Sequence, residues 1–423
     1  MIPAPLRFPA FRAYWLARLA GTIAQMAMVI VIGWQVYDIA RQTMDVGDAA
    51  FQLGLIGLFQ FVPLFVLTPV SGWAADQFDR RQIARAAIAL ELLCALVLFA
   101  FTWSGDIDLP ILFAVAAVLG VARAFAAPAF SALAPNLVPR ELLPRAIALS
   151  STAWQVGAII GPALGGILYD IIPHLSYGVS SALFAFSLLC LFLIRPVPRT
   201  AIERGNPLKR MAEGLSYIRR NQLVLGAITL DLFAVLLGGV TAMLPIYARD
   251  ILEVGAQGLG PLRAAPALGA TLTAIYFSFR PIRTSVGIKM LAAVVVFGAA
   301  TAVFGLSMSM PLSLAMLALL GAADMFSVYI RQSLILLHTP DAMRGRVGAA
   351  STLAISASNE LGEARSGFTA AAIGPVTATV AGGIAAVVIT LVWAHLFPAL
   401  RNARNFDLPE PPPEKPPVVA GGA

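Results

Sequence analysis

The sequence predicts an all-α membrane protein of twelve transmembrane helices, arranged as two six-helix bundles related by a pseudo-two-fold axis. Three observations carry that expectation. The 423-residue chain is 59% hydrophobic and only 12% charged, with a mean hydropathy of +0.83, whereas soluble domains are roughly a quarter charged. A chain this long and this poor in polar residues cannot cover a water-facing surface, so lipid is its solvent. The apolar residues fall into twelve runs near the length of about 20 residues that crosses ~30 Å of hydrocarbon. The two sets of six runs also match at a shift of 201 residues, which lays Gly120 over Gly321, Arg123 over Asp324, Pro139 over Pro340, Arg145 over Arg346 and Gly161 over Gly362.

In chain order the runs lie at about 12–38, 50–75, 82–104, 109–135, 144–169, 171–194, 222–248, 258–281, 284–307, 311–337, 345–370 and 374–397. Only "YDIIPH" divides the fifth from the sixth. The domains that follow are an N-terminal bundle over 1–194, a linker over 195–221, a C-terminal bundle over 222–397 and a tail over 398–423. The tail ends in "LPEPPPEKPPVVAGGA", which is too rich in proline to build a core and is expected to be disordered. In the linker, "NPLKRMAEGLSYIRR" starts with Asn206 as an N-cap and Pro207 at the first helical position. Leu208, Met211, Ala212, Leu215 and Ile218 share one face of that helix. The pattern predicts an interfacial helix on the leaflet, which also tethers the halves.

Basic residues cluster in alternate connections: Arg80, Arg81 and Arg85 after the second run, Arg140 and Arg145 after the fourth, seven Lys and Arg in the linker, and Arg344 and Arg346 after the tenth. The intervening "SGDIDLP" and "SMSMPLS" hold none. One exception, "YARDILEVGAQGLGPLRAA", balances Arg249 and Arg263 with Asp250 and Glu253. By the positive-inside rule both termini and the linker of this multi-pass membrane protein are cytoplasmic. The net charge of +7 is therefore a topology signal, not a nucleic-acid footprint. Cys94 and Cys190 lie inside apolar runs, and the three histidines are scattered, so neither a disulfide frame nor a metal site is expected. The chain shows no cleavable signal, no nucleotide-binding loop and no catalytic cluster. The expectation is a transporter acting as a monomer on a small molecule in the lipid bilayer, with no cofactor and no enzyme activity.

Two stretches carry the functional reading. In "GWAADQFDRR", Gly72 permits close helix approach. Asp76 closes the second span at its C-terminal end, where the helix dipole disfavours an anion. Its compensation is either Arg80 or Arg81, or the N-terminus of the eleventh span near Arg344, and the group would form a latch on the cytoplasmic face. In "GAIIGPALGGIL", Gly157, Gly161 and Gly165 line one face, Pro162 bends the span, and Gly166 follows.

"GWAADQFDRR" resembles the G-x-x-x-D-x-x-x-R-R loop motif that the major facilitator superfamily carries between its second and third helices, through Gly72, Asp76, Arg80 and Arg81. "GAIIGPALGGIL" is similar to the G-x-x-x-G-P-x-x-G-G motif associated with exporters in that superfamily, chiefly drug/proton antiporters. Arg123 in "LGVARAFAAPAF" resembles the fourth-helix arginine, although Ala127 stands where a glycine is usual. "DLFAVLLGG", "ASNELGE" and "PNLVPRELLPRA" resemble the branch of bacterial exporters that includes the enterobactin exporter. The resemblance covers roughly residues 7–405. It implies proton-coupled efflux of a siderophore-like or drug-like amphiphile by alternating access, with an importer or a lipid flippase on the same fold as the alternative.

An ionisable group inside the membrane costs about 2.5 kcal/mol or more at mid-helix, so each is a functional candidate. Arg123 and Asp324, at one repeat position and similar depth, are expected to face each other across the cavity. Asp324 is the first choice of proton carrier, Asp231 the second, and Glu360 and Glu363 the remaining candidates. Glu91 is expected to be structural, and Arg331 and Arg365 to snorkel.

Overall fold

The computed structural model describes residues 4–195, 207–280, 282 and 284–406, and these are helical almost throughout, with no strand among them. The first half comprises α1 (Pro9–Thr43), α2 (Val46–Gln77), α3 (Arg80–Ser104), α4 (Leu109–Leu133), α5 (Leu143–Ile171) and α6 (Pro173–Phe192). A linking helix α7 (Pro207–Arg220) leads to α8 (Gln222–Gly238), the single turn α9 (Leu244–Ile246), α10 (Gly255–Phe279), α11 (Val286–Leu306), α12 (Met310–Leu337), α13 (Asp341–Ile373), α14 (Pro375–Leu396) and a last turn α15 (Pro398–Arg401).

Local chemistry marks the ends. Asp45, Asp108 and Asn221 cap α2, α4 and α8 by accepting from the Asp48, Ile111 and Leu223 amides, as short polar residues do at exposed helix starts. Proline opens α1, α6, α7 and α14, where its missing N–H costs nothing. Ten helices among the described residues, with Gln222–Ile251 taken as one, are long and apolar enough to cross a membrane. The helices α10 and α13, with 25 and 33 residues, fill the eighth and eleventh places of the expected series. Small residues dilute the hydropathy of the first, and Glu360, Glu363 and Arg365 that of the second. Leu189, Phe192, Leu272, Phe279 and Leu391 stay more than half exposed, as a lipid-facing surface allows.

The two halves are built alike. In the first, α1 packs on α5 and α6, α2 on α4, and α3 on α4 and α6. In the second, α8 packs on α13 and α14, α10 on α12, and α11 on α12 and α14. Between halves the main contacts are α2 with α13 and α5 with α10, again a symmetric pair. The end bearing the described chain termini is called the terminal end below, and the opposite end the far end.

Cross-half contact is intimate toward the far end. A Cβ on Gly166 would stand 2.7 Å from the Ala256 carbonyl and 3.1 Å from the Gly260 nitrogen, and its repeat mate Gly367 lies against Gly54, where a Cβ would also meet the Ala50 carbonyl at 2.8 Å. Only glycine lets two backbones meet so closely. The largest buried apolar cluster runs from the first half into the far-end part of the second, through Met243, Tyr247, Leu259 and Phe304. Toward the terminal end the second half has two smaller clusters of its own. The molecule is closed at the far end.

The seventh run, expected at about 222–248, is found as one span over Gln222–Ile251, built in pieces: α8 stops at Gly238, and the chain continues through a 3-10 turn, α9 and a π-helical turn at Tyr247–Ile251. The Gly238-Gly239 pair lowers helix propensity at that point. The linking helix α7 has a protein face. It packs on α13, where a Cβ on Gly214 would stand 2.5 Å from the Arg346 carbonyl. Glu213 pairs with Arg346 at 2.6 Å, and Ile218 is buried, while Leu215 stays exposed. Residues 196–206 of the linker, Asn206 among them, the side chains of Leu208 and Met211, and the tail from 407 onward lie outside the described residues.

Candidate functional site

Arg123 projects from α4 and is three-quarters buried. Its Nη2 donates to Glu360 Oε1 of α13 at 2.9 Å, and its Nη1 donates to Gln60 Oε1 of α2 at 3.0 Å. The guanidinium thus ties α4 and α2 of one half to α13 of the other. Charge-assisted bonds of this kind are the strong ones inside a low-dielectric site. One turn nearer the far end on the same face of α13, Glu363 Oε1 lies 3.7 Å from Arg263 Nη1 of α10. A cavity of about 40 Å³ opens there, lined by Gly33, Gly57, Gln60, Thr241, Arg263 and Glu363.

Arg123's carboxylate partner is therefore Glu360 and not Asp324. The repeat places Arg123 and Asp324 at equivalent points of α4 and α12, and equivalent helices of the two halves do not face each other here. The helices that cross are α2 with α13 and α5 with α10, so an arginine on α4, packed against α2, meets an acid of α13.

Asp231 is also elsewhere. It is paired with Arg331 of α12, inside the second half, and both side chains are less than a tenth exposed. Arg331 consequently does not snorkel: it is buried and neutralised. Arg365 lies inside as well, bonded to Ser366 at 3.1 Å and close to Gly382 of α14. Glu91 sits in the first-half core at 2% exposure, and its Oε1 finds no hydrogen-bond partner among the described residues.

The exporter-type glycines do pack closely, chiefly against α1. A Cβ on Gly157, Gly161 or Gly165 would collide with Thr22, with Ile23 and Met26, or with Ala27. Gly166 is the member that crosses to α10, and Pro162 lies inside α5. At the terminal end, the surroundings of Gly72 and the side chain of Asp76 lie outside the described residues. Their neighbours show what the arginines do. Arg80 donates to the Ala132 carbonyl at 3.0 Å, near the end of α4. Arg81 donates to the Ile194 carbonyl at 2.9 Å and to Asp79 at 2.5 Å. Both therefore satisfy carbonyls at or just beyond helix C-termini, where a cation is favoured. The hydrogen bonds from Arg81 hold the Asp79 carboxyl below the usual carboxylate range.

A second charged group, at the far end, escaped the sequence reading. The Tyr37 hydroxyl donates to Asp250, Arg41 lies 3.4 Å from the same carboxylate, and Arg249 pairs with Asp38. Residues of α1 and of the π-helical turn thus form a reciprocal clasp between the halves. Its signal was present: Asp38 and Arg41 close the first run, and Arg249 and Asp250 close the seventh. Gln60 and Arg263 were overlooked too, the first because it is neutral and the second because it had been placed with a loop.

The family model described as a transmembrane secretion effector matches residues 2–419. The chain is 28% identical over 415 residues to the enterobactin exporter EntS of Citrobacter koseri, covering 97% of this chain and 96% of that one. Against EntS of Escherichia coli strain K12 it is 27% identical over 402 residues, with 94% of each chain covered. Among solved structures, a bacterial homolog of the human lysosomal transporter Spinster, in an inward-facing and unoccupied conformation, superposes with a TM-score of 0.68 at 15% identity, over 94% of this chain and 99% of that one. A D-xylose–proton symporter gives 0.69 at 13% identity, over 90% and 96%. These last two likenesses speak to fold alone. With a family model spanning nearly its whole length, a helical architecture repeated in two halves and a charged centre between them, the chain belongs to the transmembrane secretion effector family of major facilitator transporters, multi-pass membrane proteins that carry solutes and are not enzymes.

Proposed function

We propose that the chain is a proton-driven exporter of a small amphipathic, siderophore-like molecule, working by alternating access in a bacterial inner membrane, with both termini on the cytoplasmic side. The observation that carries this reading is the bridge from Arg123 to Glu360 across the two halves. A pair that straddles the halves must break when they part. A nearby arginine favours the ionised carboxylate, and a partly dry cavity without it favours the protonated acid. Glu360 is the acid whose charge Arg123 neutralises in this state, and a proton could take over that neutralisation when the pair parts. No nucleotide site is evident in the sequence, so an ion gradient is the natural energy source. The direction of transport and the cargo class rest on the relatives named as enterobactin exporters. The orientation rests on arginine clustering at the terminal end. The charged path is complete within one chain, which supports a monomer.

Purified protein in proteoliposomes with an imposed pH gradient tests the reading, with enterobactin as cargo. Movement of cargo against the direction of proton flow supports it, and movement with the protons favours an importer. Reporter fusions after Arg81, Arg204 and Arg404 should read cytoplasmic, and one at Asp106 external.

A further inference from the structure

The Arg263–Glu363 pair differs from the Arg123–Glu360 pair in one respect. At 3.7 Å its nearest nitrogen and oxygen are too far apart for a direct N–H···O bond. Both side chains keep about a quarter of their surface exposed, 23% and 29%, and polar groups at such a separation can be joined by a water. The cavity beside them, about 40 Å³, exceeds the roughly 10–15 Å³ that one water requires. Its lining also supplies the polar partners a water needs: Gln60, Thr241, Arg263 and Glu363.

The place of this cavity in the fold gives it a use. Gly33 and Pro245 both line it, and each stands four residues, one helical turn, before a member of the far-end clasp: Tyr37 follows Gly33 and Arg249 follows Pro245. The cavity is therefore the first polar space inside the clasp. Glu363 forms its inner wall and Glu360 lies one turn beyond. Glu363 is faced by Arg263 of α10, by Arg123 of α4 and by Glu360 of its own helix. At the cavity α1 presents Val29, Ile30 and Gly33, α2 presents Gly57 and Gln60, and the turn after α8 presents Thr241 and Ala242, none of them charged.

We propose that the cavity is a water site bridging Arg263 and Glu363, and that it is the station through which a proton reaches Glu363 from far-end water once the clasp parts. The proposal deepens the proton-coupled reading and rests on it for direction. The step balances simply: an O–H bond of the hydrated proton breaks, one forms on Glu363, and Arg263 keeps its charge while losing its ionised partner. The proton leaves later when the Glu363 O–H bond breaks and one forms on the Glu360 carboxylate, one turn away on the same helix; as Glu360 returns to Arg123 that O–H bond breaks in turn and the proton passes to water.

Gly33→Val is the test. A Cβ at Gly33 would meet only the Pro245 ring, at an ordinary 3.9 Å, so the branch point itself fits, and the two methyls it carries are expected to take up space in the cavity that Gly33 lines. The variant should lose about a hundred-fold in enterobactin transport driven by a pH gradient, the lower end of what a positioned proton relay contributes. Enterobactin counterflow at equal pH should stay within about two-fold of wild type, since that exchange needs no proton transfer. Gly348→Ala, at a glycine with nothing within 4 Å, serves as the control and should behave as wild type in both assays. Gradient-driven transport at the wild-type rate in Gly33→Val would overturn the station. A wild type indifferent to the gradient would fail the parent reading and the station together. The water is read separately, as density between Arg263 and Glu363 in a high-resolution structure of the wild type that is lost in Gly33→Val; its absence from the wild type would overturn the site.

Discussion

Two of the arginine–carboxylate pairs among the described helices, Asp231–Arg331 and Arg123–Glu360, are built for opposite purposes. Asp231 and Arg331 belong to the same half and are almost wholly buried, whereas Arg123 and Glu360 belong to different halves and keep 24% and 11% of their side-chain surface exposed. A buried pair inside one rigid unit stabilises that unit through every state, because parting its members would leave a charge alone in a low dielectric. A pair across two units is tied to one state of the molecule. It needs access to water for the moment when it separates. The contrast separates the charges that hold a half together from the charges that report how the halves stand.

The largest expected effect breaks the comparison on its static side. Arg331→Ala should destabilise the protein by about 3–5 kcal/mol, the cost of orphaning a buried charge, and should show as a large drop in melting temperature in detergent. Arg123→Ala should lose less, because Glu360 and its surroundings keep more access to water. Equal losses in the two variants would erase the distinction.

The next effect concerns the seal that the second pair accompanies. Gly367→Leu places a side chain where the backbone of Gly54 already stands, and overpacking of this kind costs about 1–3 kcal/mol. The cost falls only on the far-end-closed state, so thiols introduced near Gly33 should become reactive from the far side. If they stayed protected, the glycine seats would not be part of the closure.

A smaller effect should come from the clasp, which is partly exposed. Arg249→Asp should raise the same far-side reactivity, and the swap Asp38→Arg with Arg249→Asp should restore protection. No rescue by the swap would make the contact incidental.

The smallest effect is at the terminal end. Because Arg81 lowers the folded-state value of Asp79, that carboxyl stabilises the fold above its ordinary range, near pH 4. The contribution fades as pH falls through the lowered value. Asp79→Asn should therefore remove a small stability increment at neutral pH and flatten the acid limb of a melting-temperature profile. An unchanged acid limb would show that the Asp79–Arg81 contact adds nothing.

The fold was legible because lipid imposes a length and a composition on each span, and a repeat at 201 residues fixes how the halves correspond. The end of α8 inside the seventh span was not legible, because apolar content is indifferent to a Gly-Gly break. At the site, charge inside an apolar run was a sufficient signal for Arg123, Glu360 and Glu363. It could not say which acid Arg123 meets. A repeat gives equivalent positions within each half, and contacts between halves follow from how the bundles lean, which for this chain brings α13 and not α12 to α2. Arg331 and Arg365 were assigned by distance from the span ends, a measure blind to whether a helix face looks at lipid or at protein. The clasp needed two short stretches more than 200 residues apart to be seen as one group. Nothing local marks that adjacency.

The most direct test of the account compares two acids in one assay: pH-gradient-driven enterobactin export by Glu360→Gln and by Asp324→Asn, in matched proteoliposomes, with melting temperatures recorded beside them. The account predicts that Glu360→Gln folds and exchanges cargo at equal pH but loses uphill transport, while Asp324→Asn retains most of it. Uphill transport at the wild-type rate in Glu360→Gln, or its loss in Asp324→Asn alone, would contradict the assignment of Glu360 as the acid that answers Arg123.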